Sequence, residues 1–311
     1  MTGRLQTRLW GICLGLLLAA GPACAADATP SLWQSYDPSM QRLLDQALNT
    51  ANLRDAGRRG KLAVALVDVT NLQRPRVAQI NGDHMMYAAS LPKIGILLAA
   101  FVQIEHGKML LTRKLRTMLT DMIRFSSNEA ATSVMNLVGK RRVNEILSSA
   151  PYRFYDARTN GGLWVGKEYG KNPAFERDPL HNISHGATAM QVARFYYMLE
   201  AGTLLPPDLT AQMKDALSRP GIHHKFIKGL GNREATVYRK SGTWHEWHAD
   251  SMLVETPRAR YILVALAEDP RGGDWMVRLA PAVHDLLVPP MVALNSPGDD
   301  ARAAPGDKST F

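Results

Sequence analysis

From Ile94 to Ile104 nearly every residue is apolar, and Glu105-His106-Gly107 closes the run with a glycine, a usual helix stop. A helix that is apolar all round has no face to give to water, so it must be buried inside a layered fold. Directly before it, Tyr87-Ala88-Ala89-Ser90-Leu91-Pro92-Lys93 sets a hydroxyl and an amine three residues apart at the helix mouth. If the helix begins near Ser90, positions three apart share a face and the Lys93 amine lies beside the Ser90 hydroxyl. A serine needs such a neighbour to become a nucleophile.

The rest of the chain supplies the layers around that helix. At 311 residues and 46% hydrophobic content it can build one large domain or two intimately packed ones. Helical spacing from about Pro38 to Leu53 is followed by two short strand-like runs, Leu62–Val69 and Arg76–Ile80, and an Asn81-Gly82 turn. Helical patterns then occupy Met118–Phe125, Glu129–Val138 and residues 140–150. Residues 151–187 are irregular, punctuated by Gly161-Gly162, Gly166, Gly170, Pro173 and Pro179, and long loops in compact domains tend to be functional.

Helices return at Ala189–Leu199 and Asp208–Leu217. A strand, Ala235–Arg239, runs into Lys240-Ser241-Gly242-Thr243, a hairpin joins His248–Glu255 to Arg260–Ala267, and Trp275–Leu287 closes as an amphipathic helix. The order implies an α/β (α+β) fold: one antiparallel sheet built from both chain ends, with an all-helical subdomain inserted. The sheet part is expected at about 38–82 and 230–293, the helical part at about 90–225, and a cleft between them is the natural place for a site.

Arg4 and Arg8, an apolar run from Leu9 to Ala20 and the small residues Ala23-Cys24-Ala25 form the pattern of a secretory signal peptide over residues 1–25. The run is short for a membrane span, so no membrane anchor is expected and the mature domain, 26–293, is placed in the periplasm or outside the cell. Lipidation at Cys24 is disfavoured, because Gly21-Pro22-Ala23 lacks the leucine usual before such a site. The other cysteine, Cys13, lies in the same leader, so the mature chain is expected to be stable without disulfides. The tail, 294–311, is rich in Pro, Gly, Asp and Ala and is expected to be disordered.

The formal charge of +9 favours anionic partners only weakly, since the basic residues are scattered and lack interleaved aromatics. Export argues against nucleic acid as a partner, and a monomer is expected.

Three short patterns carry the chemistry: Ser90-x-x-Lys93, Ser126-x-Asn128 and Lys240-Ser241-Gly242. Singly each has a plain structural reading, with Ser90 an N-cap, Ser126 and Asn128 turn formers, Lys240 a surface lysine and Gly242 a bulge. Together, in this order, they suit acyl transfer from an amide. That reaction needs a nucleophile, a proton path to the leaving nitrogen and donors for the oxyanion, for which the backbone N–H groups of Ser90 and Thr243 are candidates. A lysine is mostly protonated near neutral pH, so Lys93 must be desolvated or sit near Lys240 to act as a base.

On these patterns the chain resembles the penicillin-recognising serine hydrolases, most closely the class A β-lactamases, which carry S-x-x-K, S-D-N and K-[ST]-G in this order. The resemblance runs from about residue 40 to 290. It implies that Ser90 is acylated, Lys93 accepts or relays its proton, Ser126 passes a proton to the leaving nitrogen, Lys240 binds the substrate carboxylate and Asn128 holds its amide side chain. Ser241, Gly242 and Thr243 would bind substrate, Thr243 through its backbone. Ser127 stands where the family has Asp.

Two departures bear on what the resemblance implies. The spacing from Ser90 to Ser126 is shorter than in the familiar class A enzymes, which suggests a more open cleft. The water-activating glutamate of E-x-x-L-N is matched only loosely by Glu168-Tyr169-Gly170-Lys171-Asn172, with Glu176 and Asp178 as further candidates and a solvated loop acid as the plain alternative.

His223, His224, His245 and His248 are ligand types, and a divalent metal such as zinc is one reading of them. They lack the spacing of a helical zinc motif, so no cofactor is expected. The leading expectation is an exported serine hydrolase opening a β-lactam ring through an acyl-enzyme on Ser90. The alternatives are a D-Ala-D-Ala carboxypeptidase or transpeptidase acting on peptidoglycan stem peptides, a penicillin-binding protein or sensor that is acylated without turnover, and a metal-dependent hydrolase.

Overall fold

Strand β1 (Leu62–Asp68) is buried along nearly its whole length, and its side chains alternate between two cores. Ala63, Ala65 and Val67 join one, whereas Leu62, Val64 and Leu66 join the other. A run that must be apolar on both faces reads as an unbroken hydrophobic stretch. In the computed structural model residues 29–289 are described. The expected leader with Cys13, Cys24 and the Ala25 cleavage site, and the expected tail 294–311, lie outside the described residues.

Before β1 come helices α1 (Pro38–Thr50) and α2 (Arg54–Arg58). Asp37 caps α1, its carboxylate accepting from the amides of Ser39 and Met40, and Pro38 sits at the first helical position, where its missing N–H costs nothing. After β1 follow β2 (Arg76–Ile80), β3 (Met86–Tyr87), α3 (Lys93–Glu105), α4 (Arg113–Arg124), α5 (Asn128–Val138) and α6 (Lys140–Ser148). The irregular stretch contains the short strands β4 (Tyr155–Asp156), β5 (Gly161–Gly162), β6 (Trp164–Val165) and β7 (His185–Ala187), with a 3-10 turn at Ala157–Thr159. The chain ends with α7 (Ala189–Glu200), α8 (Pro207–Leu217), α9 (Phe226–Leu230), β8 (Thr236–Trp244), β9 (Trp247–Glu255), β10 (Arg260–Glu268) and α10 (Gly272–Leu287).

The main sheet has the order β2-β1-β10-β9-β8 and is antiparallel throughout. Strands from both chain ends thus form one sheet, with the helical block between them in sequence. One face is covered by α1, α9 and α10, and the other by the larger core that includes α3, α5 and α7. Helix α3 lies within that larger core, with Ile94, Ile96, Leu97 and Leu98 fully buried. The helical block and strand β8 meet near Ser90.

Two short elements were not apparent from periodicity: α2 and α9, at five residues each, are below the length at which a helical pattern shows. The β8–β9 connection is also tighter than expected. It turns on His245 and Glu246, with His245 in the left-handed region at φ 51°, and lacks the Asn-Gly or Asp-Gly pair that marks such hairpins.

Candidate active site

Ser90 lies on the turn that leads from β3 into α3, one residue after Ala89, which is held at φ 50°. The helix itself begins at Lys93, so Ser90 precedes it rather than opening it. Ser90 still connects to the helix through its carbonyl, which accepts from the Lys93 amide at 3.3 Å. Strand β7 secures the same turn, because the Ala88 amide donates to the His185 carbonyl at 2.9 Å.

The Lys93 side chain is fully buried and its amine points at the second pattern. It donates to the Ser126 carbonyl at 2.6 Å and to Asn128 Oδ1 at 2.8 Å, with Ser126 Oγ at 3.4 Å. The expected partner was the Ser90 hydroxyl; among the described residues the hydrogen bonds of the Lys93 amine go to Ser126 and Asn128 instead. Burial lowers the Lys93 pKa from 10.5 to about 7, which makes a neutral amine accessible near neutral pH.

Ser126 sits in the left-handed region at φ 57°, on the turn between α4 and α5. Ser127 caps α5 by accepting from the Ala130 amide at 3.1 Å, which accounts for a short polar residue there. Capping by Ser127 leaves the Asn128 side chain free for Lys93. The third pattern arrives from β8: Lys240 Nζ donates to Ser126 Oγ at 2.9 Å and to the Ser241 carbonyl at 2.7 Å. Lys240 is 2% exposed, and burial followed by the charge of Lys93 drives its pKa well below 10.5. Two lysines therefore converge on one serine hydroxyl.

Gly242 fits against the Ser90 turn so closely that a Cβ there would overlap the Ala88 carbonyl and stand 2.7 Å from the Ser90 amide nitrogen. Only glycine permits this approach. Lys225, which the sequence did not single out, donates to the Gly242 carbonyl at 2.5 Å, to Thr243 Oγ1 at 2.8 Å and to the Ala249 carbonyl at 3.0 Å. It thereby ties the end of β8 to β9. Burial lowers its pKa to about 8.

Behind Lys240, Arg239 and Asp250 form a buried two-pronged ion pair, Nε to Oδ1 and Nη2 to Oδ2 at 2.8 Å each. The Asp250 carboxylate also accepts from the Phe226 amide at 3.1 Å, and Arg239 donates to the carbonyls of Ile222 and His224. The pair therefore anchors residues 222–226 to the strand that carries Lys240.

Glu168 and Asn172 are hydrogen-bonded to each other. The other Glu168 oxygen accepts from Lys140 Nζ at 2.6 Å, and this contact with Lys140 lowers the Glu168 pKa, so the group is ionised at neutral pH. Beside Lys93 lies the ring of Tyr169, whose centroid is 4.4 Å from the amine. Tyr169 in turn stacks on the His185 imidazole at 4.4 Å and 3°. Its own phenol keeps its proton, because burial pushes its pKa well above 10. Lys140, Tyr169 and His185 escaped the sequence reading, since residues scattered over such distances share no spacing.

Of the other acids, Glu176 Oε2 accepts weakly from Asn144 at 3.5 Å, while Asp178 pairs with the Tyr155 hydroxyl. Ser90, Asn128, Glu168, Tyr169, His185 and Thr243 all line one cleft of about 620 Å³. Among the described residues no group of three or more His, Cys, Asp or Glu side chains is placed to hold a metal. His223 contacts the Pro220 carbonyl at 2.8 Å, His224 Nδ1 faces Arg239, His245 packs on Trp244, and His248 has neither ring nitrogen partnered. No helix among the described residues is long and apolar enough to cross a membrane.

The family model described as the beta-lactamase enzyme family matches residues 44–118 and 111–287 of this chain. No curated protein matches it. Among solved structures, a beta-lactamase from Sphaerobacter thermophilus aligns at 18% identity with a TM-score of 0.64, covering 80% of this chain and 99% of that one. A mutant of PBP-A, seen as an acyl-enzyme complex with penicillin G, aligns at 18% identity with a TM-score of 0.59, covering 78% of this chain and 95% of the other. A mutant class A beta-lactamase of the last common ancestor of Gram-negative bacteria, bound to a transition-state analogue, aligns at 18% identity with a TM-score of 0.63, covering 76% and 98%. At these identities the likeness shows the fold.

Proposed function

Since the chain belongs to the beta-lactamase enzyme family, we propose that it is an exported serine hydrolase that opens the β-lactam ring through an acyl-enzyme on Ser90. The observation that carries this reading is the convergence of Lys93 and Lys240 on the Ser126 hydroxyl, beside a serine whose amide faces Gly242. Neutral Lys93 takes the Ser90 proton, directly or through Ser126, as the Ser90 oxygen attacks the lactam carbonyl. The amides of Ser90 and Thr243 receive the oxyanion, each such donor being worth roughly 3 kcal/mol. Ser126 then protonates the departing nitrogen and recovers a proton from its lysine neighbours. The lactam amine stays tethered, leaving a ring-opened ester on Ser90.

Release of the ester needs a water and a base to activate it. Glu168 is the candidate, being ionised, lined up on the cleft and oriented by Asn172. A second reading draws on the same loop: the Glu168 carboxylate is engaged by Lys140, and Tyr169 rather than a carboxylate covers Lys93. That arrangement favours a persistent acyl-enzyme, the behaviour of a penicillin-binding D-Ala-D-Ala peptidase. Incubation with a fluorescent penicillin separates the two. Ring-opened product beyond one equivalent supports turnover; a stable label on Ser90 supports the peptidase. Label that survives Ser90→Ala, or no label and no product in the native protein, would sink both.

A further inference from the structure

Two cations in the cleft lining have no part in the acyl transfer. Lys167 and Lys171 flank Glu168 in the irregular stretch between β6 and β7, and both border the cleft that holds Ser90. The carboxylate in that lining, Glu168, already has its counter-charge in Lys140 at 2.6 Å. Among the described residues neither Lys167 nor Lys171 has an ion-pair partner, so this wall presents two uncompensated positive charges. The charge of Lys167 is felt by the His185 imidazole on the same cleft, which burial first and Lys167 second hold neutral.

The same cleft has an aromatic border. Tyr87, Trp244 and Trp247 line it, Tyr87 meeting Trp247 edge-on at 6.1 Å, and Trp244 is left 57% exposed. An indole so exposed at the rim of a cleft offers apolar area to a bound group at little conformational cost.

We infer that the Lys167–Lys171 wall and the aromatic border together form a subsite for an acyl side chain that carries its own carboxylate beside an apolar or aromatic group. The substrates favoured would be acyl donors with an anionic side chain, additional to the carboxylate assigned to Lys240. This rests on acylation at Ser90 and adds a preference to it. Exposed charge pairs are weak individually, so two of them should favour the charged donor by about threefold to tenfold.

The test uses benzylpenicillin and its α-carboxy derivative, which differ by one carboxylate on the side chain. Second-order rates of Ser90 acylation are measured for each by competition with a fluorescent penicillin. The charged compound is expected to react about threefold to tenfold faster at low salt, with the ratio falling as salt screens the lysines. The ratio should drop to about one in the double variant Lys167→Ala/Lys171→Ala and persist in Lys167→Arg/Lys171→Arg. It should also persist in Lys108→Ala, whose exposed lysine lies beyond the far end of α3. Equal rates in the native protein, or a preference that survives the double alanine variant, would overturn the subsite. Failure of both penicillins to acylate Ser90 would instead overturn the reading on which it rests.

Discussion

The cleft has two kinds of wall. The wall that carries Ser90, Asn128 and Thr243 is backed by Lys93 and Lys240, which come from α3 and β8, are almost fully buried, and meet on a serine between two helices. Glu168, Tyr169 and the two lysines beside them come from a stretch without regular structure, held by contacts to the Thr132, Lys140 and His185 side chains. The first wall is fixed by the same packing that stabilises the fold. The second relies on side-chain contacts, among them the half-exposed Lys140–Glu168 pair, which is worth little by itself. Attachment of an acyl group should therefore be robust to change, and its release sensitive to it.

The largest effect should come from breaking the rigid wall at its anchor. Asp250→Ala leaves Arg239 buried and unpaired and should destabilise the protein by about 3–5 kcal/mol. Lys140→Ala, which breaks the exposed-side partner of Glu168, should cost far less. Denaturant unfolding of both variants checks the contrast, and equal losses would remove the distinction between the walls.

A smaller effect separates attachment from release. Glu168→Gln removes the candidate base while leaving Lys93, Ser126 and Lys240 in place. Deacylation should slow by about 100-fold while the rate of Ser90 labelling changes little. Stopped-flow labelling and the decay of the label report the two steps independently. Unchanged decay would reassign the water-activating role.

The smallest expected effect is on pH dependence. In the proposed mechanism acylation requires neutral Lys93, whose pKa is lowered to about 7, so the rate should fall about tenfold per pH unit below that point. Tyr169 acts on this value in two opposed ways. Its ring face favours the ammonium by about 2 kcal/mol, whereas its bulk excludes water and favours the neutral amine. Burial is the cause of the displacement from 10.5 to about 7, and the Tyr169 ring is part of what buries the amine. Tyr169→Ala should accordingly raise the inflection by about one unit or more, and Tyr169→Leu by less; a downward shift would reverse the assignment.

Regular structure was the legible part of this chain, for a physical reason. Helices α1 and α4 each bury one face at helical spacing, Met40, Leu44, Ala47 and Leu48 in the first and Leu115, Leu119, Met122 and Ile123 in the second, and periodicity is what a sequence displays. The three patterns were legible for a related reason, since each is a local spacing that a turn or strand converts directly into geometry. What stayed hidden was contact across the fold. Nothing near Lys93 announces that its amine bonds to Asn128 rather than to Ser90, or that Tyr169 will cover it. Lys140 and Lys225 carry no motif, yet one holds Glu168 and the other holds Thr243.

Covalent capture tests the central claim most directly. The native protein and Glu168→Gln are mixed with a penicillin, quenched after seconds and after an hour, and digested for peptide-resolved mass measurement. One penicillin adduct is expected on the peptide containing Ser90 in both proteins at the early time, with a larger fraction surviving to the late time in Glu168→Gln. An adduct on any other residue, or an early adduct lost equally fast from both proteins, would contradict it.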